Sequence, residues 1–344
     1  MKFLRLFLSL ILIVTSATIA QACDLCGCYT PQLEAGQQEN KFGIYAGIAE
    51  QFTHFGTDLL DGHEVANPTG EYLNSSITQL VIGTTLPVLD NRLGVQVSLP
   101  FIDRDFKRPD GFAIDRGNIF GFGDMSLIAN FIAFRKDASF SEINSAMSKE
   151  DKNPVPMIHA PDFSAIVNLT AGIKLPTGDT SRLKENFNEV EIPGAPDSGI
   201  GGHDLTLGTG SVDAIFGAQA LLQYKALFFQ ADAQYTYRTK GDYQYRFAND
   251  FSWSGGPGFD FIRRPKTTVG LQFVISGETK GYDEFEGQPD TDTGVTSLFL
   301  GPRILASAGR WNGEVSVDLP VIMNTTSFQT APTYRVRAGF SFRF

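Results

Sequence analysis

Strict alternation of apolar and polar residues is the dominant pattern along this chain. In "ALFFQADAQYTYR" at 226–238, apolar and aromatic residues occupy every second position from Leu227 to Tyr237, and residues such as Gln230 and Asp232 lie between them. Side chains on a β-strand point to opposite faces with a period of two. The pattern therefore predicts strands that have one apolar face and one polar face.

Twelve segments carry this alternation, and several of them run to ten residues or more. Strands in soluble proteins usually have about five or six residues, whereas a tilted strand needs about 9–11 to cross a membrane. The lengths therefore indicate strands that cross a membrane. The predicted strands are 42–56, 71–86, 91–103, 120–135, 163–177, 206–224, 226–239, 243–259, 267–279, 295–307, 311–322 and 332–344.

The connections between these strands differ in length in a regular way. Short turns such as "VLDN" and "AGR" alternate along the chain with long polar stretches such as "DRDFKRPDGFAIDRGN" and "KGYDEFEGQPDTDTG". An even number of strands, with short periplasmic turns and long extracellular loops, is typical of bacterial outer-membrane barrels. We therefore predict an all-β fold for residues 42–344, a transmembrane antiparallel up-and-down β-barrel of about 12 strands. The connection at 136–162 is an exception, because it is long and falls on the periplasmic side.

The first residues of the chain have the features of an export signal. Residues 1–22 begin with Lys2 and Arg5, continue through the apolar run "FLSLILIV" and end in Ala-Gln-Ala. This is the pattern of a secretory signal peptide that is removed after export. The sequence thus predicts a signal peptide at 1–22, a periplasmic cysteine-containing segment at 23–41 and the barrel after it.

The charge of the chain narrows the classes of partner. Without the two basic residues of the signal, 26 of the 28 basic residues remain against 38 acidic ones, which gives a net charge of −12. Nucleic-acid binding requires dense Lys and Arg, so this composition argues against a nucleic-acid partner.

The C-terminal strand carries a second targeting feature. The chain ends in "YRVRAGFSFRF", an alternating strand whose last residue is Phe344. Such an ending resembles the signal by which the outer-membrane assembly machinery recognises its clients. The expected location is therefore the outer membrane of a Gram-negative bacterium, with membrane lipid and the assembly machinery as partners.

Two motifs resemble those of a known family. "AGIKLPTGD" at 171–179 and "HDLTLGTGSVDAIFGAQ" at 203–219 are similar to paired motifs of the transporter-like outer-membrane barrels named for the meta-pathway of phenol degradation. The resemblance implies a barrel that passes small, apolar or aromatic solutes. Since no phosphate-loop pattern is present, we interpret the glycines of these motifs as residues that end or bend strands.

The polar faces of the predicted strands supply candidate pore-lining residues. If the apolar faces meet lipid, charged side chains on the other faces line the lumen. Two alternatives stay open for them: charged rings that set selectivity, or an ion-pair ladder that fills a narrow lumen. The charged candidates are Lys174, Asp213, Asp232, Glu314, Asp318, Arg335 and Arg337.

All three cysteines of the chain lie in one C-x-x-C-x-C cluster. Cys23, Cys26 and Cys28 follow the predicted signal directly. In an exported protein, such a cluster predicts a redox-active or disulfide element, a soft-metal site for Cu(I) or Zn(II), or lipidation at Cys23, and the remaining alternative is that it has no special role. A periplasmic redox partner is one expectation that follows.

The function predicted from the sequence is therefore a channel or transporter-like barrel for small solutes. The alternative is a structural barrel that docks a periplasmic redox or metal partner through its cysteine-rich N-terminus. No G-x-S-x-G motif is present, and "DTDTG" at 290–294 lacks the glutamate that completes a calcium loop. The sequence thus argues against an enzyme.

Overall fold

A computed structural model describes residues 43–138, 162–187, 192–264 and 266–344. The described part is dominated by β-structure. In chain order its strands are β1 (Gly43–Leu60), β2 (His63–Glu64), β3 (Tyr72–Leu86), β4 (Leu93–Asp110), β5 (Ala113–Phe122), β6 (Ser126–Ala138), β7 (Phe163–Lys174), β8 (Asp213–Tyr224), β9 (Leu227–Tyr237), β10 (Tyr245–Arg246), β11 (Asp250–Arg264), β12 (Thr267–Lys280), β13 (Asp283–Phe285), β14 (Gln288–Asp290), β15 (Val295–Ala308), β16 (Trp311–Thr325) and β17 (Phe328–Arg343). A short helix, α1, spans Gly202–Leu205, and 3₁₀ turns span Ser181–Phe187 and Asp242–Gln244.

Twelve of these strands close into one antiparallel barrel, which confirms the predicted fold class. The order around the barrel is β1, β3, β4, β6, β7, β8, β9, β11, β12, β15, β16 and β17. The last strand then pairs with the first, from Tyr45 opposite Arg343 to Leu60 opposite Phe328. Closure leaves no barrel strand without a neighbour, which satisfies the backbone hydrogen bonds of both seam strands.

The outer and inner surfaces of the barrel differ in exposure and polarity, as the alternation of apolar and polar residues predicts. On β3, buried and more exposed residues alternate along the whole strand. A closed barrel whose outer surface is a band of exposed apolar side chains is suited to lipid on that surface. The exposed apolar residues include Ile44, Ile48, Leu80, Ile82, Leu169, Ile173, Phe216, Leu222, Leu271, Phe273, Ile304, Val315, Leu319 and Phe340.

The two ends of the barrel carry connections of different length. At one end, called the short-turn end, tight turns join β3 to β4, β8 to β9, β11 to β12 and β15 to β16. The other end, called the long-loop end, carries the long connections, of which 175–212 is the longest. It also carries a tight turn at 326–327 that sequence alternation did not reveal, since β16 and β17 extend further than predicted.

Several predicted strand boundaries are wrong, and the largest errors fall at the long-loop end. The predicted strands 206–224 and 243–259 begin only at Asp213 and Asp250, and the second of them continues to Arg264. The stretch interpreted as a loop after the predicted strand 91–103 is a hairpin, in which β4 continues to Asp110 and pairs with β5. Residues 120–135 therefore combine the end of β5 with β6. Polar residues on both faces hid the hairpin, because it extends beyond the apolar band.

The remaining sequence predictions fall largely outside the described residues. These are the signal peptide 1–22, the segment 23–41 and most of the connection 136–162. The two ends of that connection are described: Ala138 pairs with Phe163, which puts both at the short-turn end. Within the described ranges, no helix is both long enough and apolar enough to cross a membrane.

Candidate functional site

The connection between β7 and β8 turns back into the barrel. Its described residues, 175–187 and 192–212, are called the plug. Leu183, Leu205 and Leu207 of the plug are buried, with at most 4% of their surface exposed. A loop that projected into solvent would leave these leucines exposed. The plug is therefore a packed part of the barrel mouth.

One side of the plug packs on the inner faces of β1, β3 and β4. Ile200 and Leu205 contact Phe55, Leu73 and Phe106 in one buried cluster. Leu207 belongs to a second buried cluster, with Ile77 and Ile102. Burying a leucine side chain contributes about 1.5–3 kcal/mol. These clusters hold the plug against this wall.

The plug also reaches the strand that lies opposite its own attachment. The carbonyl of Gly199 accepts a hydrogen bond from the backbone N–H of Thr330 on β17, at 3.0 Å. Around the barrel, five strands separate β8 from β17 in either direction. A β-carbon on Gly199 would lie 2.4 Å from the nitrogen of Thr330, so only glycine permits this approach. The plug thus bridges the mouth from wall to wall.

The attached end of the plug is organised by one carboxylate, Asp124, in the link between β5 and β6. One of its oxygens accepts the backbone N–H groups of Thr177 and Gly178, at 3.1 and 3.0 Å. The other accepts the N–H and the hydroxyl of Thr209, both at 2.8 Å. Lys174 lies 3.4 Å from the same carboxylate. These groups are called the Asp124 hub.

Two glycines let the two arms of the plug meet at the hub. A β-carbon on Gly178 would lie 2.6 Å from the carbonyl oxygen of Leu207, and one on Gly208 would lie 2.7 Å from the α-carbon of Gly178. The two family-like motifs, at 171–179 and 203–219, are therefore in direct contact. These glycines lie outside the strands and allow close backbone packing, which replaces our interpretation that they end or bend strands.

Buried ion pairs continue from the hub along the neighbouring strands. Lys174 lies 3.3 Å from Asp213, which lies 2.9 Å from Arg238. Arg238 also pairs with Asp250 at 2.6 Å. Each of these side chains is at least 98% buried, so removal of one partner would leave an uncompensated charge. The network ties β7, β8, β9 and β11 together beside the plug.

The far end of the plug is held by a different carboxyl group, Glu71, which directly precedes β3. Glu71 is 2% exposed and accepts hydrogen bonds from the hydroxyl of Ser198, at 2.6 Å, and from the N–H of Gly199, at 3.3 Å. Burial raises the pKa of Glu71 to about 7, although these two hydrogen bonds lower it; the charges of Asp58 and Asp204 raise it further. Glu71, Ser198 and Gly199 are called the latch.

Two further loops cover the plug from the long-loop end. Tyr245 and Phe247, in the connection 238–249, form a buried cluster with Leu183 of the plug. Asp283, in the connection 281–294, accepts hydrogen bonds from the hydroxyl of Tyr245 at 2.7 Å and from the N–H of Ala248 at 2.8 Å. Burial and the nearby acids raise the pKa of Tyr245 well above its ordinary value, so it stays a neutral donor.

Beneath the plug, the inner wall carries paired charges. Arg335 lies 3.1 Å from Asp318 and 3.4 Å from Glu278, and Arg337 lies 2.6 Å from Asp318. Since β15 and β16 separate β12 from β17, the contact of Arg335 with Glu278 runs through the barrel interior. The guanidinium of Arg335 also stacks 4.2 Å above the ring of Phe299. These four charged residues are called the lumenal cluster.

The structure brings the predicted pore-lining residues into three groups. Asp318, Arg335 and Arg337 belong to the lumenal cluster, and Lys174 and Asp213 belong to the network at the hub. Glu314 lies 4.0 Å from Arg303, and Asp232 accepts a hydrogen bond from Ser254 at 2.6 Å. A role of these residues in lining an open pore stays a prediction.

Sequence reasoning missed the two carboxyl groups that hold the plug. Asp124 and Glu71 fall within the predicted strands 120–135 and 71–86, and no pattern distinguished them from the other polar residues of those segments. The predicted metal or redox residues Cys23, Cys26 and Cys28 lie outside the described residues. Within the part of the chain that the structure describes, no group of three or more His, Cys, Asp or Glu side chains is arranged to hold a metal ion.

Comparisons with known proteins bear on the fold. No protein-family model matches the chain, and no curated protein matches its sequence. The structure is similar to that of the COG4313 outer membrane channel from Pseudomonas putida F1, with a TM-score of 0.57 and 14% identity over 92% of this chain and 100% of that one. The β-domain of the Bordetella autotransporter BrkA aligns with a TM-score of 0.45 and 10% identity over 88% of this chain and 99% of that one. At these identities the likeness shows the barrel fold.

Proposed function

We propose that this chain is an outer-membrane channel for small solutes, with a mouth that the plug closes. The observation that carries the proposal is the bridge from the Asp124 hub, across the barrel, to Thr330 on the opposite wall. The exposed apolar band supports a position in lipid. The predicted export signal and the C-terminal strand support the outer membrane, with the long-loop end outside the cell.

Apolar or aromatic solutes are the substrate class we propose. Beside the contact of the plug with Thr330, beyond the point where the ladder between β16 and β17 ends at Asp318 and Arg335, the wall has a mainly apolar recess of about 50 Å³. Phe55, Phe299 and Met323 line it, and Glu278 adds one carboxylate. Such a recess favours contact with the apolar part of a passing solute, and the family resemblance implies the same class.

The lumenal cluster gives the channel its charged inner surface. Its two guanidinium groups and two carboxylates lie on the path between the recess and the short-turn end. In this proposal, they act on charged solutes and ions that pass them, as charged side chains do in other pores. The alternative function, docking of a redox or metal partner through Cys23, Cys26 and Cys28, has no support from the described residues and stays a prediction.

The test compares a plug variant with a matched control in planar bilayers. Leu205→Asp puts a carboxylate into the buried cluster with Phe55 and Leu73, so the plug should leave the mouth and single-channel conductance should rise. Leu89→Asp changes a leucine that is 64% exposed at the short-turn end and should leave conductance unchanged. An unboiled sample that runs faster on gels than a boiled one verifies the folded barrel. Unchanged conductance of folded Leu205→Asp would contradict a closing role for the plug.

The same proteins in liposomes test the solute class. Swelling rates with sugars, amino acids and small aromatic molecules should be highest for the aromatic molecules, and Leu205→Asp should raise all of them. Equal rates for sugars and aromatic molecules of the same size would refute a preference for apolar solutes.

A further inference from the structure

The two ends of the plug are held by carboxyl groups in opposite electrostatic settings. Asp124 has Lys174 beside it and four hydrogen-bond donors. Glu71 has two donors, and no ion pair joins it to a cation among the described residues. A buried carboxylate without a cation is costly, so such a group favours its protonated form. The two ends should therefore respond differently to pH.

We propose that the latch is pH-sensitive: it holds the plug across the mouth in acid and releases it as the pH rises. This inference rests on the proposed closing role of the plug and adds how that role is regulated. The attached end stays fixed at the Asp124 hub while the far end, at Ser198 and Gly199, moves away from Glu71.

The geometry makes Glu71 a rigid acceptor for the plug. Asn67 receives the N–H of Glu71 at 2.7 Å and donates to its carbonyl at 2.8 Å, which fixes the backbone of the latch residue. Gly199, on the plug, is bound between Glu71 and Thr330. If the contact with Glu71 is lost, the attachment of Gly199 to Thr330 on the opposite wall is therefore weakened as well.

Charged groups on every surrounding element leave Glu71 in a negative setting. On β1, Asp58 accepts the hydroxyl of Thr330 at 3.0 Å, and in α1, Asp204 lies 3.3 Å from His203. The cationic side chains nearby bind other groups. Arg104 donates to the carbonyl of Asp204, Lys107 donates to the carbonyl of Thr69, and Arg108 pairs with Asp115 and Glu185 and donates to the carbonyl of Ile200.

The direction of the response follows from proton linkage. In the docked state, burial raises the pKa of Glu71 from its ordinary value of 4.5 to about 7. Release of the plug exposes the carboxyl and returns its pKa toward the ordinary value, so the docked plug binds the proton more tightly than the released plug does. Docking is strongest below about pH 4.5 and weakens as the pH rises through about 7, above which both states have lost the proton. The equilibrium should shift by up to about tenfold per pH unit in this window.

A second carboxyl near the plug titrates in the same range and must be separated from Glu71. Burial, together with a hydrogen bond with Asp292, raises the pKa of Asp290, in the loops that cover the plug, to about 7. Glu64, on the same end of the barrel, is exposed and serves as a matched glutamate control. Glu71→Gln removes the titrating proton and keeps a side chain of the same shape.

The experiment reads the position of the plug directly, without using conductance. Cysteines replace the exposed residues Ala66 and Asp197 in a protein whose Cys23, Cys26 and Cys28 are serines, and both carry nitroxide labels. Distances between the labels are measured at pH 5 and pH 8. We expect one short distance at pH 5 and an added population at longer distance at pH 8. Adding Leu205→Ala weakens docking without a change at Glu71. In that background the ratio of released to docked populations should rise by up to about fortyfold between pH 5 and pH 7.

The variants decide which group is responsible. Glu71→Gln should keep the short distance at both pH values, whereas Glu64→Gln and Asp290→Asn should respond like the parent protein. A parent protein whose distances do not change with pH, in both backgrounds, overturns the latch. So does a Glu71→Gln protein that still responds. Neither result depends on conductance. The pH-sensitive latch can therefore be refuted without refuting the closing role of the plug, and the reverse.

Discussion

The two ends of the plug show how one loop can combine a fixed and a releasable attachment. At the hub, Asp124 satisfies four donors and lies near Lys174, so its charge is compensated. At the latch, Glu71 is equally buried but is surrounded by acids, and its pKa rises to about 7. The difference lies in the presence of a cation and the number of donors, since both groups are carboxyls at the same end of the barrel.

The largest effect is expected from removal of the hub carboxylate. Asp124→Ala removes the acceptor of the backbone N–H groups of Thr177, Gly178 and Thr209 and one ion-pair partner of Lys174. The folded protein should lose about 3–5 kcal/mol, because one partner of a buried charged network is missing. Thermal unfolding in detergent, followed by the gel mobility of unboiled samples, measures the loss. Asp103→Ala, at an exposed carboxylate of β4, should cost less than about 0.5 kcal/mol. Equal stability of the two variants would mean that the hub is not a fixed attachment.

A smaller and more local effect is expected at the latch end. The β-carbon of Gly199→Ala would overlap Thr330, so docking of this end should weaken by about 1–3 kcal/mol while the barrel keeps its thermal stability. Conductance in bilayers should rise at every pH. Gly313→Ala, whose added carbon has an ordinary contact of 3.5 Å, provides the control. If Gly199→Ala destabilised the barrel as much as Asp124→Ala does, the latch end would not be a weaker, local attachment than the hub.

The smallest effect concerns ions that pass the released plug. Arg337→Gln removes one positive charge from the lumenal cluster and leaves Asp318 paired with Arg335. One unit charge about 10 Å from an ion changes its energy by about 0.6 kcal/mol at an effective dielectric constant of about 20 and a Debye length of about 10 Å, with opposite signs for K⁺ and Cl⁻. The permeability ratio of K⁺ to Cl⁻, from reversal potentials, should rise by up to about tenfold. Arg264→Gln, at the exposed short-turn end, should change it much less. An unchanged ratio for Arg337→Gln would remove Arg337 from the predicted pore lining.

The barrel could be predicted from sequence because its strands are local patterns. The predicted strand 267–279 corresponds to Thr267–Lys280, and 226–239 corresponds to Leu227–Tyr237. Lipid on one surface and a polar interior on the other impose a period of two that each segment shows by itself. The hairpin of β4 and β5 was missed where that contrast between faces ends.

The plug could not be predicted in the same way, because its contacts join distant parts of the chain. Ser198 bonds to Glu71, 127 residues earlier, and Thr209 bonds to Asp124, 85 residues earlier. No periodic pattern encodes such pairs. The glycines at 178 and 208 were visible, but their close approach depends on two segments that meet only in the folded protein.

The predictions for Cys23, Cys26 and Cys28 concern residues that precede the described part of the chain. The first described strand, β1, begins at Gly43 at the short-turn end. The redox, metal and lipidation hypotheses therefore stay predictions.

The contact of the plug with both β1 and β17 has a consequence for biogenesis. Phe55 lies on the first strand of the barrel, β1, and Thr330 lies on the last, β17. These two strands become neighbours only when β17 pairs with β1. Before that pairing forms, Thr330, which binds Gly199, is not held beside the apolar surface of β1, β3 and β4 that receives Ile200. The plug can therefore span the mouth from wall to wall only after the barrel has closed.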